Sequence, residues 1–95
     1  MVASEVRVKV IGVLQEIQTL SGRGNSPITS QTRPIGDLEG FDSLNGEEAT
    51  VLLEAELGCE LKENVFITEN GRRRALTVDE IVSRLCHLLG LEEGG

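Results

Sequence analysis

Gly40-Phe41-Asp42-Ser43-Leu44-Asn45-Gly46-Glu47-Glu48-Ala49-Thr50-Val51-Leu52-Leu53-Glu54-Ala55-Glu56-Leu57-Gly58 is the stretch that decides the fold. Ala49, Leu52, Leu53 and Leu57 recur at steps of three and four, so residues 44–57 are predicted to form a helix with one apolar side. Glu47, Glu48 and Glu54 fall on its other sides. Asp42 or Ser43 can cap the start by accepting from the first backbone N–H groups. Glu47 and Glu48 are placed near the positive end of the helix dipole. Gly58 suits the left-handed residue that follows a helix. Gly46 is expected to loosen the first turn by about 1 kcal/mol relative to Ala.

Before this helix, residues 21–40 are rich in Ser, Gly, Asn, Thr and Pro and show no period. They read as a long connecting loop, pinned to the core by Ile28, Ile35 and Leu38; structureless loops of this length are often functional. Residues 5–20 carry Val6, Val10, Val13, Leu14 and Ile17 at helical spacing, with Ser4 as a cap and Gly22 just past the end. Val6, Val8 and Val10 also alternate with Arg7 and Lys9 as in a strand. The longer period favours a helix, which Gly12 and the β-branched residues weaken.

After it, residues 61–66 are predicted to form one short helical turn with Leu61, Val65 and Phe66 inward. Asn70-Gly71 signals a type I′ turn between two apolar-rich runs, so residues 65–77 form a small hairpin or an extended loop. Thr77-Val78-Asp79-Glu80 is a capping box, and Ile81, Val82, Leu85, Cys86 and Leu89 mark the helical face behind it. Gly90 closes that helix and residues 91–95 fray. The expected fold class is all-α: a small four-helix bundle, with three main helices, one short helix and a long first loop.

A chain of 95 residues holds one domain, here spanning 1–95. Its only aromatics are Phe41 and Phe66, so the core must be aliphatic. A net charge of −7 repels nucleic acid and anionic headgroups and favours partners with basic patches. Arg72-Arg73-Arg74 is the one basic cluster, read as solvated, with contact to a specific partner as the alternative. Residues 1–10 mix Glu and Arg with Val and do not read as a leader. No run is long enough for a membrane span, and the expected location is cytoplasmic. Cys59 and Cys86 make no disulfide framework and read as small, mostly buried apolar residues. With His87 they lack the paired spacing of a zinc site, so no metal is expected.

Catalysis fits poorly. A Ser–His–acid site needs a deep rigid pocket, and the sole histidine, His87, sits on a helix beside Cys86. The Gly-Asp-Ser-Leu signature of certain esterases is interrupted here by Phe41. Asp37, Glu39, Asp42 and Asn45 match no register of a calcium loop. Gly22 and Gly24 lack the Gly-Lys-Ser/Thr of a phosphate loop. No enzymatic activity is expected. What remains is a serine at a helix start between Asp42 and Leu44.

Residues 38–57 resemble the modification segment of acyl carrier proteins and peptidyl carrier domains, whose hallmark is Gly-x-Asp-Ser-Leu before an acidic helix ending near Gly. Here that reads Gly40-Phe41-Asp42-Ser43-Leu44, and Leu53-Glu54-Ala55-Glu56-Leu57-Gly58 is similar to the family's helix ending. Leu76-Thr77-Val78-Asp79-Glu80-Ile81 resembles the start of its last helix. The resemblance implies the acyl-carrier type of bundle. It implies that Ser43 holds 4′-phosphopantetheine, delivered from coenzyme A by a phosphopantetheinyl transferase, with Asp42 and Leu44 flanking the site. It implies a monomeric phosphoprotein that carries acyl or aminoacyl groups as thioesters between loading and processing enzymes. Glu47, Glu48 and Glu54 would dock on those enzymes' basic patches, and Leu44 and Val51 would supply apolar contact. Departures point to a specialised lipid, polyketide or secondary-metabolite carrier rather than the general fatty acid biosynthesis one. Glu39 lengthens the lead-in, Asn45 replaces an acid, Glu47 replaces an apolar residue, and Thr68 to Ala75 looks inserted. An unmodified helical interaction module that keeps the same fold is the alternative, with Ser43 then a plain helix cap.

Overall fold

A computed structural model describes residues 2–23, 27–68 and 74–91. The first helix, α1, spans Ala3–Leu20 and buries Val6, Val10, Val13, Leu14 and Ile17, so the helical period prevails over the strand-like alternation. Val8 is left 70% exposed on the far side, where a strand would have paired it with Val6 and Val10. Its N-cap is Val2, with no side-chain bond, and the expected cap Ser4 instead lies inside the first turn. The end is as expected. Gly22 takes φ +74°, its N–H reaches Thr19 O at 3.0 Å, and the Arg23 N–H reaches Gln18 O at 2.7 Å. This paired closure uses a residue without Cβ at the left-handed position.

The long loop carries a single turn, α2, at Pro34–Asp37. Pro34 opens it, but Ile35 and Gly36 depart from helical angles, so it is one closed turn and no more. Leu38 is buried, and Ile28 and Ile35 pack against the core, as anticipated. The stretch from Thr29 to Thr32 folds on its own hydroxyls, with Thr29 N–H donating to Thr32 Oγ1 at 2.9 Å. It then offers carbonyls to the fourth helix: Val78 N–H reaches Thr32 O at 2.8 Å and Asp79 N–H reaches Ser30 O at 2.9 Å. Those two donors have no partner within their own helix, so the loop satisfies them.

The third helix, α3, spans Ser43–Leu57 and buries Gly46, Ala49, Thr50, Leu53 and Leu57. Leu52, expected on the same face, is only half-buried. After Gly58 the chain forms no helix over 61–66, contrary to expectation. Its backbone donors go to side chains instead. Leu61 N–H donates to Glu54 Oε2, Val65 N–H to Thr50 Oγ1 and Phe66 N–H to Asn64 Oδ1. The result is an irregular strap across α3 that still turns Leu61, Val65 and Phe66 inward. It leads into the short strand β1, Ile67–Thr68, antiparallel to β2, Arg74–Ala75, with Ile67 opposite Ala75. Of the small hairpin and the extended loop left open for residues 65–77, this pairing fits the former; residues 69–73, with the Asn70-Gly71 turn signal and Arg72 and Arg73, lie outside the described residues.

The last helix, α4, spans Val78–Leu89 and carries both arms of the expected capping box. Glu80 N–H donates to Thr77 Oγ1 at 3.2 Å and Thr77 N–H donates to Glu80 Oε1 at 2.9 Å. Gly90, at φ +71°, closes it. Of the predicted frayed end, Leu91 is instead held, its N–H reaching Cys86 O at 2.8 Å and its side chain packing against the core, while residues 92–95 lie outside the described residues.

The fold is a small, mostly helical bundle in which α1 packs against both α3 and α4. Val6, Val10 and Leu14 meet Ala49 and Leu53 from α3 and Val78, Ile81 and Leu85 from α4, all completely or almost completely buried. Each Val, Leu or Ile side chain among them contributes about 1.5–3 kcal/mol on burial. Phe41 and Phe66 add the one ring contact, tilted with centroids 5.8 Å apart. Cys86 is buried in this core and Cys59 half-buried at its edge. Among the described residues no helix is long and apolar enough to cross a membrane.

Candidate functional site

The start of α3 is built by the segment in front of it. Leu38 and Phe41 are buried on either side of Glu39 and Gly40. The Glu39 carbonyl accepts from Gln18 Nε2 and from Arg23 Nη1, each at 3.1 Å. Gly40 turns the chain at φ +69°, against the Arg23 guanidinium. Anchored in this way, Asp42 reaches the helix start in extended geometry.

Asp42, not Ser43, is the cap. Its Oδ1 accepts from Leu44 N–H at 3.0 Å and Asn45 N–H at 3.1 Å. Asn45 returns the bond, its Oδ1 accepting from Asp42 N–H at 3.1 Å. The asparagine that departs from the carrier pattern is thus the second arm of a capping box. Ser43 becomes the first helical residue. It is half-buried, and among the described residues no hydrogen bond engages its hydroxyl. The N-terminus of a 15-residue helix carries partial positive charge, and the first turn of α3 contains no acid. Glu47 and Glu48 lie a turn further along than the dipole argument places them.

Leu44, Glu47, Glu48 and Val51 fall at helical positions that share one face, and all four are exposed, Leu44 by 71% and Val51 by 61%. Glu54 stands apart from them. It is half-buried, and its carboxylate accepts the Leu61 N–H at 3.1 Å, which ties it to the strap. A surface cleft of about 220 Å³ runs between α3 and the strap, lined by Glu47, Thr50, Val51, Glu54, Lys62 and Asn64 among others.

Two residues that sequence reasoning passed over complete the site. Asn64 donates from Nδ2 to the Ser43 carbonyl at 3.1 Å and accepts the Phe66 N–H on Oδ1 at 3.0 Å. Because one partner is an acceptor and the other a donor, the amide can sit only one way round. Thr50 donates to Gly46 O at 2.8 Å and accepts the Val65 N–H at 3.3 Å. Gly46 itself is buried. A Cβ there would lie 2.9 Å from Asn64 Nδ2, 3.0 Å from Asn64 Oδ1 and 3.3 Å from Ile35 Cδ1. An isolated glycine inside a helical pattern was the signal available for this close approach.

His87 is exposed in the last turn of α4, and no hydrogen bond joins it to Ser43 among the described residues. No group of three His, Cys, Asp or Glu side chains among those residues is arranged to hold a metal ion. No family model matches the chain, and neither does any curated protein or solved structure.

Proposed function

We propose that the chain is an acyl carrier protein that holds 4′-phosphopantetheine on Ser43. The observation that carries this reading is the division of labour at the start of α3. Asp42 and Asn45 make the cap, and among the described residues no hydrogen bond engages the Ser43 hydroxyl. A helix that used Ser43 as its cap would have that hydroxyl engaged with its own backbone.

The site suits the group. In the transfer, Ser43 Oγ forms a bond to the pantetheine-side phosphorus of coenzyme A. The pyrophosphate bond breaks, adenosine 3′,5′-bisphosphate leaves, and a base of the transferase takes the hydroxyl proton. The phosphodiester so formed is an anion beside the positive end of α3, an arrangement worth about 0.3–1 kcal/mol at an exposed site. When bound, the arm supplies a thiol that carries acyl or aminoacyl groups as thioesters. Tethering raises the cargo's effective concentration at each partner enzyme, so the chain needs no catalytic group of its own. The exposed Leu44, Glu47, Glu48 and Val51 face next to Ser43 is the docking surface for partners with basic patches.

The proposed setting is cytoplasmic and monomeric, in a specialised lipid, polyketide or secondary-metabolite pathway. Glu47, exposed where the family frequently has an apolar residue, supports that specialisation, because it alters the face that partners would read. The same exposed face also suits an unmodified interaction module, which intact mass separates. Incubation with coenzyme A and a broad-specificity phosphopantetheinyl transferase should add one phosphopantetheine to the full chain and none to Ser43→Ala. An unchanged mass would leave only the unmodified module, and an addition that survives Ser43→Ala would overturn Ser43 as the attachment point.

A further inference from the structure

We infer that Asn64 is a positioning residue for group transfer onto Ser43, acting through the hydrogen bond that its side-chain amide donates to the Ser43 carbonyl across the gap that Gly46 leaves open. The inference rests on the carrier reading above. Asn64 lies 21 residues beyond Ser43 and is the point where the strap meets the first turn of α3. Its Nδ2 holds the carbonyl of the residue that bears the hydroxyl, and its Oδ1 holds the strap through Phe66 N–H. Phe66 is fully buried and fixes the far end of the connection.

The amide reaches the Ser43 carbonyl only because Gly46 has no side chain. A methyl at position 46 would stand 2.9 Å from the Asn64 nitrogen and displace it. Glycine here sacrifices about 1 kcal/mol of helix propensity relative to alanine. The Thr50 hydroxyl holds the same two pieces together one turn further along, so the strap and helix stay in register when Asn64 alone is changed. Removing Asn64 therefore loosens the orientation of residue 43 more than it loosens the bundle. Rate depends steeply on such orientation: a displacement of about 1 Å can cost about a hundredfold.

Intact mass can follow transfer from coenzyme A by a broad-specificity transferase, with kcat and KM for the carrier measured separately. Asn64→Ala and Gly46→Ala should each lower kcat by about tenfold, with KM within about twofold. Asn64→Asp keeps the acceptor for Phe66 N–H and loses the donor to Ser43, so its kcat should fall likewise. The Asn64→Ala/Gly46→Ala double variant should be no slower than either single one, because both remove the same bond. Val82→Ala, a core truncation on α4, controls for lost stability and should keep the wild-type kcat below its melting range. Wild-type kcat in Asn64→Ala and Asn64→Asp would overturn the inference, and so would an equal loss in Val82→Ala. A wild-type chain that takes up no phosphopantetheine would overturn the carrier reading itself. Normal uptake with indifferent Asn64 variants would remove the positioning role alone.

Discussion

Asp42 places one carboxylate oxygen between two backbone donors, and Asn45 answers it from within the first turn. Removing the carboxylate strands both N–H groups, so Asp42→Ala should cost about 1 kcal/mol and lower Tm by about 4–8 °C. Asp42→Asn, which keeps a cap acceptor, should lose much less. Equal melting of both variants with wild type would show that water or another group caps α3. The identity of the cap was open in the sequence because Asp42 and Ser43 are both good caps, and propensity alone does not choose between neighbours. The second arm settles the register: only with Asp42 as cap does Asn45 stand three positions on. Gly46 shows the opposite limit. Local reasoning sees its cost to the helix, whereas the reason for it, Asn64, lies 18 residues away in sequence.

At the scale of elements, α4 was the most legible, because its start, face and stop are all local signals. Thr77 and Glu80 exchange bonds as their spacing dictates, and Arg74 and Arg33 add ion pairs to Glu80 at 2.9 and 3.4 Å. Hydrogen bonding from Arg74 first, and from the Thr77 N–H second, lowers the Glu80 carboxyl from 4.5 to about 2. A folded value below the unfolded one stabilises the fold above pH 4.5, and the benefit disappears as pH falls toward about 2. The side chain is 38% exposed, so screening keeps the effect small. Glu80→Gln should melt about 2–4 °C below wild type at neutral pH, with the gap closing through that acidic window. A gap constant from neutral to acid in thermal melts would mean that the bond geometry, not the charge, does the stabilising. The strap failed to form its expected helix for a physical reason of the same kind. Six residues are too few for a self-sufficient helix. Glu54, Thr50 and Asn64 offered its backbone donors better partners than its own carbonyls.

At the scale of the whole molecule, charge is distributed in a way that burial alone would not require. The chain carries a net charge of −7, yet several of its cations are already paired: Arg7 with Asp79, Lys9 with Glu56 and Arg84 with Glu63. Arg33 and Arg74 both turn toward Glu80. Glu47 and Glu48 have no such partner among the described residues and stand beside the exposed Leu44 and Val51. The aliphatic pattern made the three-helix core readable, and the Glu positions were readable with it. That Glu54 belongs to the strap rather than the open face was not, because its hydrogen bond depends on how the chain returns after Gly58. The free acidic face should therefore act through Glu47 and Glu48. Attraction between exposed charges speeds encounter and is screened over about 10 Å at 0.1 M salt. Glu47→Gln/Glu48→Gln should slow phosphopantetheine transfer about threefold to tenfold at low ionic strength, with the two proteins converging as salt rises. Because neither side chain caps the helix, thermal melts should remain near wild type. A deficit that persists unchanged at high salt would locate the contribution of this face in direct contact, and equal rates at every salt concentration would leave Glu47 and Glu48 as solvated surface.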